Sequence, residues 1–169
     1  MRDEILKILD EALEKSSIDF QNVIIMGSTG SGKTSLIKEW FNKHPEIKQY
    51  CFLANTRFHE SKKVKKLDGT ETQLGFGFYF CTDEVDKFNN EGTVLFIDYF
   101  DLTHDDARTH LLELVKNRNV VYNLDGEIKH VDNLKMVIAA AFPLGEAHFA
   151  YKPLTEKDIE VFDYVINIE

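Results

Sequence analysis

Residues 27–34, Gly27-Ser28-Thr29-Gly30-Ser31-Gly32-Lys33-Thr34, carry the spacing G-x-x-x-x-G-K-[ST], the signature of a loop that cradles phosphate. The chemistry follows from the residue types. Gly27, Gly30 and Gly32 let backbone N–H groups turn inward and approach phosphate oxygens with no Cβ in the way. Ser28, Thr29 and Ser31 are the short polar residues between them. Lys33 can place a compact ammonium on the β- and γ-phosphate oxygens. The Thr34 hydroxyl can ligate Mg²⁺, which takes oxygen ligands. Ser35 opens a helix-like run whose positive N-terminal end faces the anion. The ligand implied is ATP or another nucleoside triphosphate, with Mg²⁺.

A second acid belongs to the same chemistry. Asp98 directly follows Thr93-Val94-Leu95-Phe96-Ile97, and an ionised carboxylate at the end of such a run needs a reason. In P-loop proteins an acid at a strand end holds Mg²⁺ opposite the Ser/Thr of the loop. The plain alternative is a strand-end turn residue. Asp101, three residues on, is a candidate replacement base. An extended strand end would carry it too far along, so capping or orienting the next helix is its preferred role.

These groups need a strand, a tight turn and a helix around them. Val23-Ile24-Ile25-Met26 leads into the loop and Ser35 to Lys43 leaves it, stopping before His44-Pro45, where the proline forbids continuation. Ile5, Leu6, Ile8, Leu9, Leu13 and Ile18 recur at near-helical spacing. They predict an amphipathic helix over about residues 3–15, within an N-terminal stretch, 1–19, packed on the rest. Strands are expected at 22–26, 47–54, 93–97, 136–141 and 162–168. Helices are expected at 103–117, capped by Thr103, and at 155–160, with a short one starting at Thr82-Asp83-Glu84-Val85. Leu124-Asp125-Gly126-Glu127 reads as a hairpin turn. Residues 55–75 read as a long loop or irregular insertion, and Phe76 to Cys81 as extended. Apolar strands alternating with helices predict an α/β fold: a single P-loop NTPase domain over 1–169, three-layer α-β-α with a mainly parallel sheet. The ligand then lies beyond the carboxyl ends of the strands.

Composition narrows the function classes. With 169 residues, 43% of them hydrophobic and 29% charged, the chain can bury a sizeable core and is not disordered. A net charge of −9 argues against nucleic-acid binding through the general surface. One basic run, Lys62, Lys63, Lys65 and Lys66 beside Arg57 and His59, can contact nucleic acid or an acidic partner. Without an interleaved aromatic platform it reads first as a solvated loop. Phe76, Phe78, Tyr79 and Phe80, with Gly75 and Gly77, read first as core and second as a stacking or partner surface. Cys51 and Cys81 have no C-x-x-C spacing and read as buried free thiols. The six histidines show no H-x-x-x-H spacing, so no zinc is expected. No apolar run reaches bilayer length, and Met1-Arg2-Asp3-Glu4 begins an amphipathic pattern, not a signal peptide. A soluble cytoplasmic protein is the expectation.

From about residue 20 onward the order of motifs resembles AAA+ ATPases of the MoxR-like and dynein-related branch. Val94 to Asp101 is similar to the Walker B strand, and His110 to Arg118 to the helix and basic end that follow it. Asp125-Gly126-Glu127 fits the inserted hairpin of that branch. Lys135 to Pro143 resembles its sensor-1 strand, and Leu154 to Asp163 the segment bearing its arginine finger. The resemblance implies ATP, Mg²⁺, and a protein partner or self-assembly.

The departures matter as much. The catalytic Glu position holds Tyr99, a phenol whose pKa near ~10 rules out a carboxylate-type base at neutral pH. The sensor-1 position holds Phe142, which cannot orient a water. The arginine-finger position holds Val161, although such a finger is worth roughly 10³–10⁵ in rate. The sequence reaches its end at the last strand, with no counterpart of the helical lid and its sensor-2 arginine. Arg118 is the basic residue left near that family's subunit interface and a candidate to act in trans. The implied protein binds ATP with Mg²⁺ and hydrolyses it slowly or only with a partner. The alternative is a lapsed ATPase, a structural or adaptor subunit without turnover. A small-molecule or nucleoside kinase fits the size but lacks an arginine-rich lid segment after Asp98.

Overall fold

The computed structural model describes residues 1–54, 63–65, 67–73, 82–103, 105–122, 127–146 and 151–169. Along the chain run α1 (Arg2–Lys15), β1 (Gln21–Met26), α2 (Lys33–Lys43), β2 (Lys48–Leu53), β3 (Lys63–Lys65), β4 (Glu71–Gln73), α3 (Thr82–Phe88), β5 (Thr93–Asp98), α4 (Asp105–Asn117), β6 (Asn119–Tyr122), β7 (Glu127–His130), β8 (Met136–Ala141), α5 (Glu156–Ile159) and β9 (Tyr164–Asn167). Five strands form one sheet in the order β2-β5-β8-β1-β9, and every pairing in it is parallel. This is the α/β three-layer P-loop NTPase fold expected from the sequence.

The central strands β5 and β8 are buried throughout, and β1 nearly so. That is why they read as continuous apolar runs rather than alternating ones. Successive residues still face opposite layers. Ile24, Met26, Leu95, Ile97, Val137 and Ala139 pack with Val85 and Phe88 of α3 and Leu111 and Leu114 of α4. Val23, Ile25, Val94, Phe96, Ile138 and Ala140 pack with Leu9 and Ala12 of α1 and Leu36, Ile37 and Trp40 of α2. Leu9 and Ile37 are fully buried and each contributes about 1.5–3 kcal/mol by leaving water. Polar contacts also fix α1 to α2. Arg2 pairs with Glu39. Asp10 Oδ1 accepts from Trp40 Nε1 at 2.9 Å and lies 2.7 Å from His44 Nε2.

Several local expectations change. The helix expected at 103–117 starts at Asp105, and the Thr103 hydroxyl donates to Phe100 O at 3.3 Å. The stretch 55–75 contains an antiparallel pair, β3–β4. Gly69 (φ +84) lies in the turn between its strands, with Asp68 Oδ1 accepting Thr70 N–H at 2.9 Å. Asp-Gly is a hairpin signal that the charged composition obscured. Cys51, expected buried, is exposed, on β2, an edge strand of the sheet. The antiparallel β6–β7 hairpin forms as expected, while its tip at 123–126 lies outside the described residues. So do Arg57, His59, Lys62, Lys66, Gly75, Phe76, Gly77, Phe78, Tyr79, Phe80 and Cys81; Lys63 and Lys65 fall in β3.

Candidate functional site

A cavity of about 240 Å³ opens where β5 and β8 end and the loop after β1 begins. One wall is that loop with the first turn of α2: Thr29, Gly30, Gly32, Lys33, Thr34 and Ser35. Gly30 and Gly32 have φ +81 and +89, a backbone region open to glycine at little steric cost. Gly32 caps α2 in this conformation, which starts the helix at Lys33 rather than Ser35. The first turn of a helix carries N–H groups without intrahelical partners, a natural anion seat. Ser31 N–H donates to Ser28 O at 3.1 Å and closes the turn. Gly27 is glycine for another reason. A Cβ there would lie 2.6 Å from both Ile168 O and Ser31 Oγ. Ile168 is held close because its N–H donates to Met26 O at 2.8 Å.

The ammonium of Lys33 donates to the carbonyls of Gly27 and Ser28, the latter at 3.0 Å. It also lies 5.4 Å from the centre of the Phe142 ring, a cation–π distance. Burial pulls its pKa below the ordinary lysine value, against the opposing charges of Asp98, Asp101 and Glu146. Behind it the Thr34 hydroxyl donates to Asp98 Oδ2 at 3.0 Å. Asp98 is buried, and its other oxygen accepts Tyr99 N–H at 2.9 Å. The two oxygens that the sequence pairs across 64 positions are thus neighbours in space. A hydroxyl and a carboxylate are the donor types a hard divalent ion selects, so this pair fits Mg²⁺.

The opposite wall is Tyr99, Asp101, Ala140, Ala141 and Phe142. Here sequence reasoning missed a turn. β5 ends at Asp98 and Tyr99 adopts a left-handed backbone, φ +53. Phe100 N–H then donates to Ala140 O and Leu102 N–H to Tyr99 O, each at 3.0 Å. The chain turns over residues 99–102 alongside the end of β8. Asp101, buried, ends with Oδ2 accepting Phe142 N–H at 3.0 Å. Its backbone carbonyl also accepts from Arg108 Nη2 of α4 at 2.7 Å. Aromatic residues seldom adopt this backbone region, so Tyr99 gave no signal of it.

Two other positions lie away from the cavity. Val161 packs against the core on the α4 side. Arg118 is fully buried, which corrects the expectation that it can act in trans. Its guanidinium donates to Leu134 O at 2.7 Å and Val115 O at 2.6 Å, and lies 4.6 Å from the Phe20 ring centre. It closes the carbonyl end of α4, where a cation suits the helix dipole. Burial pushes its pKa down to about 10. Among the described residues no His, Cys, Asp or Glu cluster forms a metal site, and no helix is long and apolar enough to cross a membrane.

The family model of the NB-ARC domain matches residues 1–150, a span that takes in every residue lining the cavity. No curated protein matches the chain.

Proposed function

The chain belongs to the NB-ARC domain family of nucleotide-binding P-loop NTPases, and from that premise we propose that it binds ATP with Mg²⁺ in the cavity beyond β1, β5 and β8. It hydrolyses ATP slowly or only with a partner, and uses the bound state as a conformational signal. The observation that carries the reading is the 3.0 Å contact of Thr34 Oγ1 with Asp98 Oδ2 beside a loop with left-handed glycines.

In this reading the backbone from Gly27 through Thr34, with Ser35 behind it, cradles the phosphates. Lys33 exchanges the Gly27 and Ser28 carbonyls for phosphate oxygens. Thr34 and Asp98 hold Mg²⁺, which when bound neutralises charge on the phosphates. Slow turnover is supported by Tyr99, which brings no carboxylate to the opposite wall, by Phe142, which brings no polar side chain to it, and by Val161, which brings no cation. A protein partner or self-assembly in the cytoplasm would supply what the chain lacks. Kinship with the MoxR-like and dynein-related branch rests on motif order alone.

The second reading, an adaptor that binds nucleotide without turnover, is favoured by the apolar Phe142 ring, which lines the cavity 5.4 Å from the Lys33 ammonium. Calorimetric titration with Mg-ATP, alongside ADP release, tests both on the protein and on Lys33→Ala. Saturable binding that Lys33→Ala weakens supports the site. No binding, or equal binding by the variant, sinks it. Tight binding with no turnover at any protein concentration selects the adaptor.

A further inference from the structure

We propose that Asp101 is the carboxylate that orients the attacking water in this hydrolysis, in place of a side chain at position 99. The inference rests on the nucleotide-binding reading above and adds a catalytic residue to it.

Three observations converge. Tyr99 holds a left-handed backbone, φ +53, a conformation that for a bulky residue persists where the surroundings demand it and that clusters at functional sites. Asp101 follows in the turn over residues 99–102, beside the end of β8. The Asp101 carboxylate is then fixed by Phe142 N–H at 3.0 Å and lines the same cavity as Lys33, Thr34 and Asp98. Asp101 is 2% exposed, so its charge acts in a low-dielectric setting and bears on the Lys33 ammonium across the cavity. A strut between β5 and β8 needs a hydrogen-bond acceptor; it does not need a full charge at the cavity wall.

The step balances without further reagents. A water oxygen attacks the γ-phosphorus, and the bond from that phosphorus to the β–γ bridging oxygen breaks. The bridging oxygen leaves with the electron pair as ADP. The water proton passes to Asp101 and then to the released phosphate. Phosphoryl transfer is mostly positioning and electrostatics, so one carboxylate without an arginine finger gives slow turnover rather than none.

Asp101→Asn in the full chain keeps an acceptor for Phe142 N–H and removes the charge. Mg-ATP affinity should hold while ADP release falls about 100-fold, the scale of a positioned acid–base group. In Asp101→Ala, added formate should restore part of the lost rate, which a structural strut would not show. Wild-type turnover by Asp101→Asn, no rescue of Asp101→Ala by formate, or binding by the unmodified protein with no turnover at all would each overturn the assignment. Failure of the unmodified protein to bind Mg-ATP would instead remove the reading beneath it.

Discussion

The two walls of the cavity solve the same backbone problem with different residues. On the loop wall the left-handed positions are Gly30 and Gly32; on the facing wall the left-handed position is Tyr99. Glycine adopts that region freely, whereas a side chain there costs roughly 1–2 kcal/mol. The chemistry divides along the same line. The loop wall presents the Lys33 ammonium and the Thr34 hydroxyl, with Asp98 in contact. The facing wall presents a phenol, two alanines and a phenyl ring, with one buried carboxylate, Asp101. In the proposed reading, binding phosphate and activating water are therefore separable. The wall assigned to the first has glycines at its left-handed positions; the wall assigned to the second has Tyr99 there.

Substitutions can break that division. The largest effect is expected from Lys33→Ala. Loss of a charge-assisted contact of about 3 kcal/mol lowers Mg-ATP affinity roughly 100-fold, read by calorimetry, with the fold intact. Gly27→Ala comes next. Its Cβ meets Ile168 O and Ser31 Oγ at 2.6 Å, and the backbone carbonyl cannot rotate away. Urea denaturation should show a loss of about 1–3 kcal/mol, the usual cost of overpacking.

Tyr99→Gly acts on the facing wall with the opposite sign. Relief of roughly 1–2 kcal/mol of left-handed strain is offset by about 0.4–1 kcal/mol of added unfolded-chain entropy. A net gain below about 1 kcal/mol in the same urea assay follows from these two terms. A loss of stability there would show that the two walls do not differ in strain.

The smallest effect lies behind the loop wall, where His44 of the α2 terminus lies 2.7 Å from Asp10 of α1 and 3.0 Å from Glu46. Burial pulls the His44 pKa down, but the Glu46 and Asp10 carboxylates outweigh it and hold it above the ordinary histidine value. A raised pKa in the folded state means that its contribution is complete below about pH 6.5. It is lost as pH rises through the folded value. The thermal midpoint should therefore decline modestly as pH rises through that window. His44→Gln should flatten the decline.

The loop wall was legible in the sequence because each of its proposed roles is tied to a residue type. Only glycine suits Gly30 and Gly32, and only a strand-end acid suits Asp98. The strand at 136–141 was legible to the residue, since burial on both faces leaves a continuous apolar run. The facing wall was not legible. Where Asp101 comes to lie depends on one backbone angle at Tyr99, and no feature of a tyrosine encodes it. Arg118 was read correctly as a helix-end cation and wrongly as an available one. Its burial depends on Phe20 and on the carbonyl of Leu134, which only the folded chain brings to it.

The separation of binding from turnover is tested most directly by the chemical state of the bound nucleotide. Protein loaded with Mg-ATP, separated from free nucleotide and quenched over time, should yield mainly ATP, converting slowly to ADP and phosphate. Protein that yields ADP as soon as it is loaded, or that carries no nucleotide through the separation, would contradict the account.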